Sequence, residues 1–466
     1  MAMTICAASG VTKREQNSVT SISKCGVHDV QQRNFLKVYD QMCKAMRFDY
    51  IDAPSFVYSG YGKYEGMLES LNPIMFESPA ICDKKLTQIM LEFLSWYCDP
   101  TLHLLVGSGA ACAPFSLGYH VMRYKDALYV DRAVEGSPLV KGDRIIRVNG
   151  KTLEEIFPEV KRVLMSKNSC EREDWSIVLG YARNYEVVHA NGAHEIREDD
   201  CPHVKVPVEN KHVTIGEPSA VPHDDGVLVM KLERDDMAGL GVKARKQIER
   251  ASGATKLIID ARGVCGGTVD DACALLPLLV DQPTSYRDLF GSSTLLMNAS
   301  RKNVTDRITL LKKQRAQVTD SQCKIIDDLI EDLKEHQDKG LMPVGEADAE
   351  NAVVSPSDFS SDQVIILIDR ETADAAEWLV RAASVCKKVI VIGRATCGSI
   401  DNTCLASRKL DDDFTLVYPT ARYYWAKEDG KATRGCGIEP DIHLAWTPQF
   451  LNEDVDMKCA LACCNS

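Results

Sequence analysis

The spacing of apolar residues along the chain changes period, and this change divides the sequence into helical and strand-rich parts. Between residues 31 and 101 the apolar positions recur at helical spacing, as in Phe35, Val38 and Met42. From residue 102 to residue 185 the apolar runs become short and alternate with polar positions. We therefore predict an N-terminal helical region over 31–101 and a strand-rich domain over 102–185.

The second half of the chain contains two strand–helix–strand patterns. Their four short strands are almost wholly apolar and are expected over 226–230, 257–260, 364–369 and 389–393. Helices over about 236–252 and 373–385 separate the members of each pair. Strands of this kind are typical of a parallel sheet covered on both faces, so residues 186–466 are predicted to form an α/β core.

The remaining segments have weaker patterns. Residues 1–30 are polar and predict a loose tail, and residues 186–225 predict a loop. A polar segment at 318–340 has apolar residues on one side and predicts an inserted helix. Residues 414–425 predict a late β-hairpin.

Composition narrows the class of protein. Hydrophobic residues form 45% of the 466-residue chain, which argues against a mainly disordered protein. The net charge of −12 and the absence of a dense basic block argue against a nucleic-acid partner. The 18 cysteines are scattered and form no CxxC motif, so we predict reduced, mostly buried thiols and no metal or other cofactor.

Targeting signals are absent from the sequence as it stands. The N-terminus has no basic region followed by an apolar core, and no run of 18 apolar residues occurs. We predict a cytoplasmic protein that does not enter the membrane.

Five ordered blocks carry a family resemblance. They are GSPLVKGDRIIRVNGKTL (136–153), LIIDARGVCGG (257–267), VIILIDRETADAAEWLVRAAS (364–384), VIGRATCGS (391–399) and GIEPDI (437–442). In this order they resemble the tail-specific, or C-terminal processing, serine proteases, whose relatives include tricorn protease and the interphotoreceptor retinoid-binding proteins. The resemblance implies a mixed α/β fold: a ClpP/crotonase-like βαβ core with a helical N-terminal part and an inserted PDZ-like domain.

The resemblance also implies a binding loop. Ser116-Leu117-Gly118-Tyr119 precedes a predicted strand and resembles the loop that holds a peptide carboxylate in the PDZ domains of this family. PDZ domains bind an extended peptide by adding it to a sheet edge. Peptides or unfolded protein C-termini are therefore the expected partners. The alternative for this loop is a simple tight turn. The sequence also leaves a homo-oligomer possible.

The resemblance implies an oxyanion hole and a position for the nucleophile. The Gly-rich turn over 263–267 implies an oxyanion hole, with one donor from Gly266 or Gly267 and the other from Ala375. A packing turn is the alternative. The family nucleophile is a serine, but Asp374 occupies that position in Thr372-Ala373-Asp374-Ala375-Ala376-Glu377. An aspartate would form a mixed anhydride with a peptide, so the substitution argues against acyl-enzyme catalysis.

The base positions differ from the family as well. Ser399 stands where bacterial members have a catalytic lysine. His103 stands where the tricorn-like branch has a histidine, and Glu428 is near the position of its acid. If His103 faces Asp374, the carboxylate is expected to stabilise the imidazolium and raise its pKa, which would disable the base. A strand histidine without catalytic role is the alternative.

Three functions remain open from the sequence. The first is a degenerate family member that binds peptides or protein C-termini and has lost peptidase activity. The second is an active endopeptidase that uses His103 and a substitute nucleophile, with Cys265 or Cys397 as candidates. The third is a scaffold that binds a folded partner through the 318–340 helix.

Overall fold

A computed structural model describes residues 35–53, 79–106, 117–161, 163–164, 169–198, 217–232, 239–251, 253–316, 318–344, 352–425 and 432–465. Three large sheets organise this part of the chain, and short helices connect them. The fold is mixed α/β, as predicted. No helix among these residues has the length and apolar character needed to cross a bilayer.

The central sheet has six strands in the order β19-β16-β15-β10-β9-β8. Its strands are β8 (Ser219–His223), β9 (Val227–Lys231), β10 (Lys256–Asp260), β15 (Gln363–Ile368), β16 (Val389–Gly393) and β19 (Ile442–His443). All neighbours run parallel except β8, which pairs antiparallel with β9. The two predicted strand–helix–strand units are confirmed.

Both faces of the central sheet are covered. Four helices supply the cover: α5 (Leu240–Arg250), α6 (Val269–Cys273), α10 (Ala375–Ala383) and α11 (Val455–Cys464). Leu257, Ile259 and Ile366 pack in the cluster that includes α10, while Ile258 and Ile365 pack with α11. Alternate residues of each strand thus enter opposite layers, which explains why these strands are apolar throughout.

The second sheet contradicts two sequence predictions. It contains β1 (His103–Val106), β12 (Ser293–Asn298), β13 (Leu341–Pro343), β17 (Asn402–Lys409) and β18 (Phe414–Trp425). β18 is one continuous strand that pairs with β1, β12 and β17, so the predicted hairpin over 414–425 is wrong. The boundary at residue 102 is wrong too, because β1 belongs to this sheet.

The N-terminal helices cover the second sheet. They are α1 (Phe35–Phe48) and α2 (Pro79–Ser95). Tyr39, Met42 and Phe93 are fully buried, and they pack with Phe414 and Tyr418 of β18. The predicted helical region therefore forms a layer on β18.

The third sheet builds a separate domain over residues 119–198, called here the 119–198 domain. Its elements are β2 (Tyr119–Tyr124), β3 (Ala127–Ala133), β4 (Arg144–Val148), β5 (Lys151–Thr152), α3 (Leu153–Val160), α4 (Ser176–Gly180), β6 (Asn184–Val188) and β7 (His194–Glu198). The strand order is β2-β3-β4-β6-β7, with β5 on β4, so β2 lies at one edge. The predicted end at residue 185 and the predicted loop over 186–225 are wrong, since β6, β7 and β8 occupy much of that segment.

The insertion contains two helices where one was predicted. α8 (Arg301–Arg315) precedes α9 (Asp320–His336), which matches the predicted 318–340 helix. Ile326, Ile330 and Leu333 of α9 are buried in the same cluster as the central sheet. The remaining short elements are β11 (Thr284–Ser285), α7 (Tyr286–Phe290) and β14 (Val353–Val354). The apolar side of the insertion is thus used for packing within the chain.

Ile366→Ala should destabilise the protein because Ile366 is fully buried in β15 between the central sheet and α10. A cavity of this kind costs about 2–5 kcal/mol of unfolding free energy. Ile196→Ala is the matched control, since Ile196 is 67% exposed on β7 and a surface change costs at most about 0.5 kcal/mol. Urea unfolding measures both, and equal losses in the two variants would contradict this packing.

Candidate active site

Asp374 lies at a sharp turn between β15 and α10. It is the N-cap residue of α10, and its backbone has φ +52° and ψ −119°, a left-handed conformation that is unusual for a residue with a side chain. The Asp374 residue itself is exposed although both neighbours are buried. A strained strand-to-helix turn of this form presents a nucleophile in other hydrolase folds. The turn at Asp374 has this backbone geometry, and its side chain is a carboxylate.

The Gly-rich turn lies against Asp374. The Gly266 N–H donates a 2.8 Å hydrogen bond to Oδ2 of Asp374. Gly266 and Gly267 both have positive φ, +68° and +74°, which only glycine adopts readily. One of the predicted oxyanion donors is therefore occupied by the carboxylate at the nucleophile position.

The second predicted donor is also engaged. The Ala375 N–H donates a 3.2 Å bond to the Gly266 carbonyl oxygen. As the first residue of α10, Ala375 has an N–H without an acceptor inside its own helix, and the nearby carbonyl satisfies it. The predicted oxyanion donor at Ala375 thus has an acceptor within the chain, and its role as a donor stays a prediction. The Gly267 N–H has no hydrogen-bond acceptor among the described residues. The other two predicted donors, the N–H groups of Gly266 and Ala375, each have one.

A buried carboxylate organises the opposite side of the turn. Glu377 on α10 is fully buried, and four donors of the 396–399 loop reach its two oxygens at 2.5–2.7 Å: the hydroxyls of Thr396 and Ser399 and the N–H groups of Gly398 and Ser399. Burial raises the pKa of Glu377, and these hydrogen bonds oppose that shift. The carboxylate thereby fixes the loop to α10.

Ser399 connects this network to Asp374. Its hydroxyl donates to Glu377 at 2.6 Å and accepts from the Asp374 N–H at 2.8 Å. Ser399 is buried. Ser399, which we predicted to stand at the position of the family lysine, therefore supports the backbone of the turn, and its hydroxyl is engaged by Glu377 and the Asp374 N–H.

His103 lies on β1, opposite Val417 of β18. Loss of hydration lowers its pKa, and the charges of Asp99 and Asp374 raise it by a smaller amount. The His103 residue keeps contact with solvent, so hydration limits the lowering. The expected net rise in the pKa of His103 is not found, because the loss of hydration outweighs the charges of Asp99 and Asp374. Asp374 lies within electrostatic reach, but no hydrogen bond or ion pair joins the two side chains in the described structure.

Sequence reasoning missed Asp99. This buried carboxylate accepts hydrogen bonds from Tyr50 at 2.9 Å, from Asn402 at 2.5 Å and from Thr101 at 2.6 Å. It raises the pKa of His103 without bonding to it. Its place four residues before His103 was visible in the sequence, but the partners that fix it come from distant segments.

One of the two proposed substitute nucleophiles, Cys397, finds little support. Burial raises the pKa of the Cys397 thiol, and the charges of Glu377 and Asp374 raise it further, so the thiolate is disfavoured. Cys265 is half-buried on the Gly-rich turn. Glu428 and Ser116, which we also predicted at the site, lie outside the described residues. Within the described residues, no cluster of three metal-ligating side chains occurs.

Polar contacts join the 119–198 domain to both sides of the Asp374 turn. Arg172, in a short 3₁₀ turn of this domain, donates to the carbonyls of Thr396 and Cys397. Arg132 on β3 forms a two-point ion pair with Glu371, three residues before Asp374. The domain is therefore anchored on the two loops that form the candidate site.

Comparison with known proteins supports the family resemblance. Residues 235–444, just under half of the chain, match peptidase family S41. The resemblance to the tail-specific proteases is therefore confirmed for this segment. No curated protein matches the sequence significantly.

Two solved structures have a similar fold. Mature CPAF in complex with lactacystin is 14% identical, with a TM-score of 0.59, and the match covers 92% of this chain and 98% of that chain. Mature CPAF alone is 14% identical with a TM-score of 0.57, covering 92% and 96%. At this identity the likeness establishes the shared fold.

The Arg132–Glu371 pair predicts a pH dependence of stability. Burial raises the pKa of Glu371, but the hydrogen bonds and charge of Arg132 outweigh it and lower the pKa from 4.5 to about 2. A carboxyl group with a lowered pKa stabilises the folded state above its unfolded pKa and loses this contribution as the pH falls toward its folded pKa. Glu371→Gln should therefore cost about 1–2 kcal/mol above pH 5, a value reduced for the partial exposure of the pair.

The measurement is the unfolding free energy of both proteins between pH 7 and the lowest pH at which both remain folded. The difference between wild type and Glu371→Gln should shrink as the pH falls below about 4.5. Glu154→Gln, on an exposed part of α3, is the control. Parallel pH curves for wild type and Glu371→Gln would contradict the assignment.

Proposed function

We propose that this S41 family member binds peptides or protein C-termini and does not cleave them through an acyl-enzyme. The observation that carries the proposal is the 2.8 Å bond from the Gly266 N–H to the Asp374 carboxylate. One carboxylate occupies the nucleophile position and at the same time a donor that a tetrahedral intermediate would need.

Electrostatics reinforces this argument. A peptide oxyanion beside the Gly-rich turn would form close to the negative charge of Asp374. Two like charges about 4 Å apart repel by about 4 kcal/mol at an effective dielectric constant of 20. The arrangement therefore opposes the transition state that an oxyanion hole normally stabilises.

The active-peptidase alternative rests on one observation. The pKa of His103 is lowered, which favours the neutral imidazole that a general base requires. Two nucleophiles do not match this base, because the Cys397 thiolate is disfavoured and the Ser399 hydroxyl is buried between Glu377 and Asp374. Cys265, half-buried on the Gly-rich turn, is the candidate left to this alternative. The scaffold alternative loses support as well, because the apolar side of α9 packs on the core.

Peptide binding is proposed at β2, with the 119–198 domain acting as a PDZ-like module. β2 is an edge strand in the described sheet, so it can add an extended peptide by main-chain hydrogen bonds. Leu117 and Gly118 lead into it, and Gly118 has φ +73°. This conformation lets the backbone approach a terminal carboxylate closely, which supports the predicted role of the 116–119 loop.

Wild-type protein is expected to show no hydrolysis of casein or fluorogenic peptides, and Asp374→Ala should be equally inactive. Asp374→Ser frees the Gly266 N–H and supplies a hydroxyl, so cleavage above the wild-type background is expected from this variant. His103→Ala in the Asp374→Ser background should remove that gain if His103 is the base. Wild-type turnover that disappears in Asp374→Ala or Cys397→Ala would refute the proposed loss of activity.

Binding can be tested with a pool of fluorescein-labelled random peptides, prepared once with free C-termini and once as amides. Fluorescence anisotropy should show at least about tenfold tighter binding of the free acids, because a buried charge-assisted contact contributes about 1.5–3 kcal/mol. Gly118→Val should weaken binding, since a β-branched residue resists positive φ.

Gly192→Val is the matched control for backbone strain. Gly192 has φ +86° in the turn between β6 and β7, away from the proposed groove. Equal affinity for acids and amides, or equal losses in the two glycine variants, would contradict carboxylate capture at this loop.

A further inference from the structure

His120 on β2 connects the 119–198 domain to the core through an imidazole ring with two partners. Its Nδ1 atom lies 2.5 Å from Oδ1 of Asp131 on β3. Its Nε2 atom contacts the guanidinium of Arg370, which belongs to the core segment between β15 and Asp374. Both ring nitrogens are therefore engaged, one within the domain and one across the domain boundary.

These partners fix the position of the ring proton. The N–H groups of an arginine donate hydrogen bonds and cannot accept them, so Nε2 of His120 must carry the lone pair. The proton of the neutral ring then lies on Nδ1 and is donated to the Asp131 carboxylate. The contact with Arg370 consequently requires a neutral imidazole.

Arg370 is a core residue that is held by the 119–198 domain. Its guanidinium donates to the carbonyl oxygens of Glu173 at 2.8 Å and of Glu171 at 3.4 Å, in addition to His120. It forms no ion pair with a carboxylate among the described residues. All three acceptors belong to the 119–198 domain, so the segment that leads to Asp374 is attached to this domain at Arg370.

Solvent reaches the His120 ring although both of its nitrogens are engaged. His120, Asp131 and Arg370 line a cavity of about 640 Å³ between the domain and the core. The side chain of His120 is 26% exposed. The pairing of β2 with β3 shifts register between His120 and Val121, and a β-bulge at such a point re-aims a side chain. The ring is therefore open to protonation from the cavity.

Protonation of the ring would reverse the contact with Arg370. An imidazolium carries an N–H group on both nitrogens, so the Nε2–H would face the N–H groups of the guanidinium. Two positive groups would then be in contact with no acceptor between them. The Nδ1–H keeps Asp131 as its acceptor, so Arg370 is the partner that is released.

Charged side chains of β3 and of the core segment flank the ring. Besides Asp131 and Arg370, they are Arg132, Asp369 and Glu371. Arg132 lies with Nε 3.5 Å from Asp131 and pairs with Glu371 across the boundary. Glu371 is within electrostatic reach of His120. The carboxylates favour the protonated ring and Arg370 opposes it, so acid acts against the Arg370 contact.

A second histidine contact across the same boundary responds in the opposite direction. His443, at the end of β19, lies with Nε2 2.9 Å from Oε2 of Glu171. Protonation of His443 would turn this hydrogen bond into an ion pair, but its side chain is 49% exposed, so the gain is small. Acid therefore weakens the contact at Arg370 and preserves the contact at β19.

We propose that His120 is a pH-sensitive latch between the 119–198 domain and the core. The neutral ring holds Arg370 and the segment that leads to Asp374. The protonated ring releases Arg370, so that β2 and this segment move more freely relative to each other. Histidine is the side chain that changes its charge between pH 5 and 8. The latch does not depend on whether the Asp374 turn cleaves or holds peptides.

The tautomer of the ring in the full chain tests the first step. Long-range proton–nitrogen NMR spectra of protein labelled with 15N-histidine distinguish the two tautomers. The signal that is missing from His120→Gln identifies His120 among the ten histidines. At pH 8 the proton is expected on Nδ1, and at pH 5 the ring should be charged. A proton on Nε2 at pH 8, or a ring that stays neutral at pH 5, would overturn the proposal.

Hydrogen exchange measured by mass spectrometry tests the release of Arg370. At pH 5, peptides that cover β2 and residues 369–374 should exchange about three- to tenfold faster in wild type than in His120→Gln, the effect expected for the loss of one hydrogen bond. Glutamine stays neutral and can still accept from Arg370, so the variant keeps the contact in acid. At pH 8 the two proteins should exchange alike.

His194→Gln is the matched control, because His194 is exposed on β7 and does not line the cavity. It should exchange as wild type does at both pH values. His443→Gln removes the second histidine contact and should leave the difference between pH 8 and pH 5 at β2 in place. Equal exchange of wild type and His120→Gln at pH 5, or the same slowing in His194→Gln, would overturn the proposal.

Discussion

The buried carboxylate of Glu377 is the interaction on which the candidate site depends. It lies inside the protein and receives four hydrogen bonds from a single loop, 396–399. A carboxylate without such donors would be very costly to bury. Through Ser399 the same loop supports the Asp374 N–H, and Arg172 binds its carbonyls from the other side. The backbone of the Asp374 turn is thus held independently of the side chain at residue 374.

These contacts explain how the turn is held with an aspartate at residue 374, where the resemblance implies a serine. The positive φ of Asp374 is a strained conformation that the surrounding contacts impose. The Asp374 carboxylate adds the bond from the Gly266 N–H, but the contact from Ser399 to the Asp374 N–H does not involve it. What changes is the electrostatics, because a negative charge now occupies the place where a negative charge would otherwise develop.

The features that could be predicted from the sequence are those that depend on a local residue pattern or on the order of motifs along the chain. The apolar strands around Ile258 and Ile366 and the position of Asp374 were readable because period and block order survive at low identity. The pairing of β1 with β18 joins residues more than 300 positions apart, and no local pattern carries it. The sign of the His103 pKa shift was missed for a similar reason: it depends on how strongly the folded chain removes water from the ring.

The strand β2 relates the proposed peptide site to the contacts between the 119–198 domain and the core. It lies at the edge of the described sheet, where we propose that an extended peptide adds, and its His120 and Met122 side chains line a cavity between this domain and the core. His120 also contacts Arg370, which lies in the segment between β15 and Asp374. Any shift of β2 relative to the core would therefore change the cavity, the ion pair at Glu371 and the approach to Asp374 together. The polar contacts between the 119–198 domain and the core therefore couple the positions of these three features, whatever chemistry the turn performs.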